Sequence, residues 1–145
     1  MKRLKLEVEI YHRKIIIYSM KENESEDMVK YLINNEKDVY PYCIDEGKKK
    51  LEETIRSFKS GGKTIKPGFD ASVSRNNRGY FILINEDKED LDIILVHELH
   101  HVQRSTCKIL GIDDAEAEAY LFDYMWSKAK YILPEYGKSE EYEIK

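Results

Sequence analysis

The sequence predicts one α+β domain, and three observations predict it. Leu4, Leu6, Val8 and Ile10 alternate with charged residues near the start of the chain, the period of a half-buried strand. Tyr80-Phe81-Ile82-Leu83-Ile84 is a continuous apolar run of strand length. After it, two stretches, Leu91 to Leu110 and Asp113 to about Ile132, carry apolar residues at helical spacing. Strands and a helix come first, then a hairpin, then two helices, which is α+β order rather than alternating βαβ. A chain of 145 residues fits a single domain over 1–145. It is long enough to bury a core without disulfides.

Each element has its own signal. Ile15-Ile16-Ile17-Tyr18 follows the first strand closely, so the two form a hairpin turning near His12-Arg13. Without Gly or Asn in that turn, one long bent strand is the alternative. Ser25-Glu26-Asp27 reads as a capping hydroxyl and first-turn acids, with Met28, Val29, Leu32 and Ile33 following at helical spacing. Asn34 to Cys43, interrupted by Pro41, has no clear pattern. Asp45 to Phe58 reads as a helix with Leu51, Ile55 and Phe58 on one face, ending at Gly61-Gly62, and Pro67-Gly68 marks a loop. Ala71 to Arg75 reads as a short strand, and Asn76-Asn77-Arg78-Gly79 as the turn before Tyr80–Ile84. Gly111 closes the Leu91 helix, Asp113-Asp114 opens the last one, and Pro134 stops it. The polar segment 133–145 reads as a tail.

Composition excludes several function classes. Hydrophobic residues make up 41% and aromatics 11%, enough for a folded core, and charged residues at 36% give it a heavily solvated surface. A net charge of −4 argues against a general nucleic-acid binder. No apolar run reaches the length that spans a bilayer, and the first ten residues lack the apolar core of a signal peptide, so no membrane partner is expected. Cys43 and Cys107 make no disulfide framework, which points to reduced thiols and a cytoplasmic location.

Three of the 4 histidines fall within His97-Glu98-Leu99-His100-His101. His97, Glu98 and His101 fit the pattern H-E-x-x-H. On a helix, positions i and i+4 lie about 40° apart around the axis, so the two imidazoles can converge on one metal. Zinc suits such donors, and Glu98 would be the general base toward a zinc-bound water. Leu91, Leu95, Leu99 and Val102 give the same helix a buried stripe. A catalytic zinc needs a third protein ligand. Arg104 and Cys107 stand where the extended H-E-x-x-H-x-x-G-x-x-H pattern requires Gly and His, which excludes that class. Cys107 reads as a core residue.

The last helix offers the better source, because helices joined by so short a loop pack as neighbours. Alanines 115, 117 and 119 would let them approach closely, with Glu116 and Glu118 as candidate ligands ahead of Asp113 and Asp114. His100 reads as structural. Tyr120 reads as core, with a role near the metal as the alternative.

The strings HELHH at 97–101 and DAEAEAYLFDYM at 114–125 resemble the metal-binding half of small zincin-like metallopeptidases of phages and prophages, over about Ala71 to Trp126. The resemblance implies a minimal zincin fold: a small antiparallel or mixed sheet, an H-E-x-x-H helix and a following C-terminal helix, with the metal-binding half at about 71–132. It implies zinc held by His97, His101 and Glu116, the last being the Glu before A-x-A-Y. It also implies hydrolysis of a peptide or amide bond with Glu98 as base, and so a peptide or protein substrate. That substrate would pair with an edge strand, Ala71–Arg75 or Tyr80–Asn85. The rival expectation is a non-catalytic interaction protein on a zincin scaffold, binding a host protein. A chain this short leaves room for a homo-oligomer in which a second copy completes the site.

Overall fold

The computed structural model describes residues 2–11, 13–35, 52–53, 55–58, 61–65 and 79–136. Among these, a four-stranded mixed sheet forms the centre. β1 (Lys2–Val8) runs antiparallel to β2 (Arg13–Met20), with a 3-10 turn at Glu9–Tyr11 after β1. β3 (Gly62–Ile65) runs antiparallel to β4 (Gly79–Asn85), and β4 lies parallel to β2, giving the order β1-β2-β4-β3. The sheet is joined by the α-helices α1 (Ser25–Asn35), α2 (Leu91–Leu110) and α3 (Ala115–Ala129).

The period of two in the central strands sorts their side chains into two cores. Ile15 and Ile17 of β2 and Tyr80, Ile82 and Ile84 of β4 pack with Leu95, Leu99 and Val102 of α2 and Leu121, Met125 and Ala129 of α3. On the other face, Ile16, Tyr18, Met20, Phe81 and Leu83 pack with Met28 and Val29 of α1 and with Ile55 and Phe58. Strands covered on both faces read as continuous apolar runs, which is why β2 and β4 do. β1, paired on one side, keeps its alternation: Leu6 and Val8 are buried, Lys5 and Glu7 exposed. Each fully buried aliphatic side chain contributes about 1.5–3 kcal/mol, so these two layers are the main stabilising term.

The β1–β2 pairing, from Lys2 opposite Ser19 to Val8 opposite Arg13, makes a hairpin and excludes one bent strand. Ser25 does not cap α1 as an acceptor. It follows a 3-10 turn at Glu22–Glu24, and its hydroxyl donates to the Glu22 carbonyl. Residues 52–53 and 55–56 are helical, as expected within 45–58, and the Arg56 guanidinium ties them to α1 by pairing with Glu26 at 2.8 Å. Gly61-Gly62 is more than a helix end, because Gly62 begins β3. α2 ends at Gly111, whose φ of 67° only glycine adopts without strain and whose N–H donates to the Cys107 carbonyl. Asp114 caps α3 by accepting from the N–H of Glu116 at 2.8 Å and of Ala117 at 3.3 Å. The expected strand 71–75, the turn residues 76–78, the Pro67-Gly68 loop, residues 36–43 and the tail beyond 136 lie outside the described residues.

Two expectations fail on packing. β4 has β2 on one side and β3 on the other, so Tyr80–Asn85 has no open edge at which to add an extended substrate. Ala115 and Ala119 face solvent, so they do not bring α2 and α3 together. His100 stacks on Phe122 with ring centroids 4.4 Å apart, and the Gln103 amide donates to the Glu118 carbonyl at 2.6 Å. Among the described residues, no helix is long and apolar enough to cross a membrane.

Candidate metal centre

α2 lies against the sheet along Leu95, Leu99 and Val102, all fully buried. Glu98 stands three residues after Leu95 and four before Val102, so a carboxylate occupies a position in the apolar stripe and is only 5% exposed. His97 and His101 lie to one side of that stripe and are exposed. Their Nε2 atoms are 3.1 Å apart, and the rings stand nearly perpendicular at 84°. Either one nitrogen donates to the other or both offer lone pairs to a shared cation. Two nitrogens about 2.1 Å from one ion are themselves about 3.0–3.4 Å apart for bond angles of about 90–110°, so the observed separation is compatible with either arrangement. The donor atoms of His97, Glu98 and His101 all lie within 4.8 Å of one another.

β3 makes room for Glu98. A Cβ on Gly62 would stand 2.7 Å from Ile94 Cγ2, 2.8 Å from Glu98 Cγ and 3.0 Å from Glu98 Oε1. A glycine inside a strand here marks close approach of helix to backbone. Two residues on, on the same face of the strand, Thr64 Oγ1 lies 2.5 Å from Glu98 Oε2 and 3.2 Å from the Glu98 carbonyl oxygen. The hydroxyl has one proton, and the nearer, charged carboxylate is the stronger acceptor.

The other sequence candidates fall elsewhere. Glu116 is exposed on the first turn of α3, and its donor atoms are not part of the His97–Glu98–His101 group. Glu118 is half-buried, and its charge lies near Cys107. Burial pushes the Cys107 thiol up, and the Glu118 carboxylate raises it further, so Cys107 is a core thiol rather than a ready thiolate ligand. His100 is held by Phe122 and by Gln103 Oε1 at 3.0 Å. Tyr120, expected in the core, is 69% exposed. Thr64 and Gly62 escaped the sequence reading. The available signal was Glu98 itself, a carboxylate inside an apolar stripe that some neighbour had to accommodate.

These features define a class: a helix-borne imidazole and carboxylate cluster packed onto a mixed sheet, with metal-ligand chemistry. The family model for iron/manganese superoxide dismutases, C-terminal domain, matches residues 46–135, more than half of the chain, and the chain belongs to that family. No curated protein and no solved structure matches the chain.

The match contains all of α2 and α3, and it overturns the zincin resemblance. The minimal zincin fold, the zinc-dependent peptide hydrolase, the interaction protein on a zincin scaffold and zinc as the cofactor are corrected together. The family implies iron or manganese. The physical reason is that H-E-x-x-H reports two imidazoles one helical turn apart. That spacing serves several metals and does not fix the reaction. Glu98 itself is buried under β3 and accepts the Thr64 hydroxyl.

The residues present fit the implied metals. Imidazole suits iron, carboxylate suits manganese, and two histidines with one carboxylate and open positions suit non-haem iron. Burial adds a second argument. An ionised carboxylate taken out of water is costly unless it is paired with positive charge, and Thr64 supplies a neutral hydroxyl. A cation between Glu98 and the imidazoles would compensate that charge.

Proposed function

We propose that this protein is an iron- or manganese-dependent oxidoreductase acting on superoxide, with His97, His101 and Glu98 holding the ion. One observation carries the reading: the three donor groups that the fold gathers lie inside the span matched by the superoxide dismutase family. The chemistry supplied at such a site is one-electron exchange. One superoxide is oxidised to dioxygen, and a second, taking up two protons, is reduced to hydrogen peroxide.

The chain's own residues set the conditions. His97 and His101 are exposed, so a small anion reaches that side of the cluster from solvent. Glu98 brings one negative charge, which favours a cation over neutral or anionic occupants. The packing of Leu95, Leu99 and Val102 fixes the helix on which all three donors ride. We place the protein in the cytoplasm, a reading supported by a buried free thiol at Cys107.

The test is reconstitution with Fe2+ or with Mn2+, followed by superoxide removal measured by stopped-flow absorbance. The reading expects removal by one metal-loaded form at a rate well above that of the free ion, and none by His97→Ala treated the same way. Equal rates for the wild type and His97→Ala would reject it.

A further inference from the structure

We infer that β3 is part of the metal site, and that Thr64 is a positioning residue which, with Gly62 on the same face of the strand, holds the Glu98 carboxylate in place as the third donor. This rests on the proposed reading of His97, Glu98 and His101 as the metal's holders and goes beyond it. It assigns a role to a strand that carries no metal-ligand residue in Gly62–Ile65.

The geometry supports the role in three ways. Glu98 has a flexible side chain, and an unanchored carboxylate would sample several rotamers at a cost in ordering each time it bound an ion. Thr64 removes that freedom: its hydroxyl lies 2.5 Å from Oε2, so one carboxylate oxygen is engaged. The other oxygen, Oε1, lies over Gly62, where a Cβ would come within 3.0 Å of it. One oxygen is held by a donor and the other is given space by a missing side chain, so the orientation of the carboxylate plane is set from β3. Thr64 is also β-branched, with few rotamers of its own in a strand, so the donor is itself pre-positioned. Glycine at 62 and threonine at 64 share one face of the strand because side chains repeat every two residues. The register Gly62 opposite Ile84 and Thr64 opposite Ile82 fixes both against β4, on the last strand of the sheet.

Partners that orient a ligand typically contribute about 10–100-fold to metal affinity. Thr64→Val keeps the branched shape and removes the donor, whereas Thr64→Ser keeps the donor. The experiment measures Mn2+ affinity by competition with a fluorescent chelator, for the full chain and for each variant alone and combined with Glu98→Gln. Thermal melting of each metal-free protein is measured beside it.

The expected result is a loss of about 10–100-fold for Thr64→Val and recovery toward wild type for Thr64→Ser. No further loss is expected when Thr64→Val is added to Glu98→Gln. A role in folding alone would instead lower affinity in both backgrounds, in step with the melting temperature. Wild-type affinity in Thr64→Val, or equal losses with and without Glu98→Gln, would overturn the inference while leaving the metal site standing. A wild-type chain that binds neither Mn2+ nor Fe2+ would overturn the functional reading and this inference with it. Should Thr64→Val fail to fold, Gly62→Ala tests the other half. Its Cβ presses on both Ile94 and Glu98, so the inference expects weakened Mn2+ binding that Ile94→Ala, which removes the Ile94 contact, does not restore. Unchanged binding in Gly62→Ala would overturn it.

Discussion

α2 and the start of α3 both carry carboxylates, and they use them in opposite ways. On α2, Glu98 sits in the apolar stripe, buried beside β3 and next to two imidazoles. At the start of α3, Asp114 accepts the N–H groups of Glu116 and Ala117, and Glu116 faces solvent. The second arrangement is what a helix N-terminus asks for, since unpaired N–H groups and the positive end of the helix dipole favour carboxylates there. The first answers no such local need. A buried carboxylate is unfavourable for the helix and for the core, so its presence points to something outside both. A carboxylate is therefore informative in proportion to its local cost, and abundance in the sequence is a poor guide.

The sharpest way to break this comparison is to neutralise one carboxylate on each helix. Glu98→Gln is expected to weaken Mn2+ binding by more than about 100-fold, beyond the loss for a partner that only orients a ligand. Glu116→Gln is expected to leave binding unchanged, as measured by the same chelator competition. Equal losses would erase the distinction between the two helices.

Packing makes the next largest contrast. Leu99 is fully buried between the two donor-bearing turns, and Leu99→Ala should cost about 2–5 kcal/mol in urea unfolding. Tyr120, at 69% exposure, should tolerate Tyr120→Ala within about 0.5 kcal/mol. A smaller effect belongs to the cap: Asp114→Ala should cost about 1 kcal/mol without altering metal affinity. If it did alter affinity, the start of α3 would have a share in the site.

The smallest effect is at Cys107. Burial, and then Glu118, hold its thiol above the ordinary 9.0, so the folded chain keeps its proton where the unfolded chain loses it. Stability from this group is present below the ordinary value and is lost as pH rises through the folded one. Wild type should therefore lose more stability than Cys107→Ala as pH rises beyond about 9. Parallel pH profiles would show that the thiol contributes nothing.

Much of this fold was legible in the sequence where structure is local. The spacing of Leu91, Leu95, Leu99 and Val102, the glycine at 111 and the acids at 113 and 114 mark α2 and α3 because caps and stripes act over a few residues. β3 was not legible. Gly61-Gly62 is punctuation when read along the chain, and only the approach of Ile94 and Glu98 shows that the missing side chains admit a helix. The parallel pairing of β2 with β4 joins segments far apart in sequence, and no local pattern encodes it.

The site divides the same way. His97 and His101 were visible as an i, i+4 pair, whereas the partner of Glu98 lies 34 residues away, on the strand that was missed. The zincin assignment failed for a related reason: five residues state a spacing, and neither the metal nor the reaction follows from a spacing.

The central claim is that the α2 cluster holds iron or manganese. Its most direct test is elemental analysis of the protein purified without added metal, compared with the double variant His97→Ala, His101→Ala prepared identically. The account predicts close to one equivalent of iron or manganese per chain in the wild type and none in the variant. Stoichiometric zinc in place of both metals, or the same iron or manganese content in the two proteins, would contradict it.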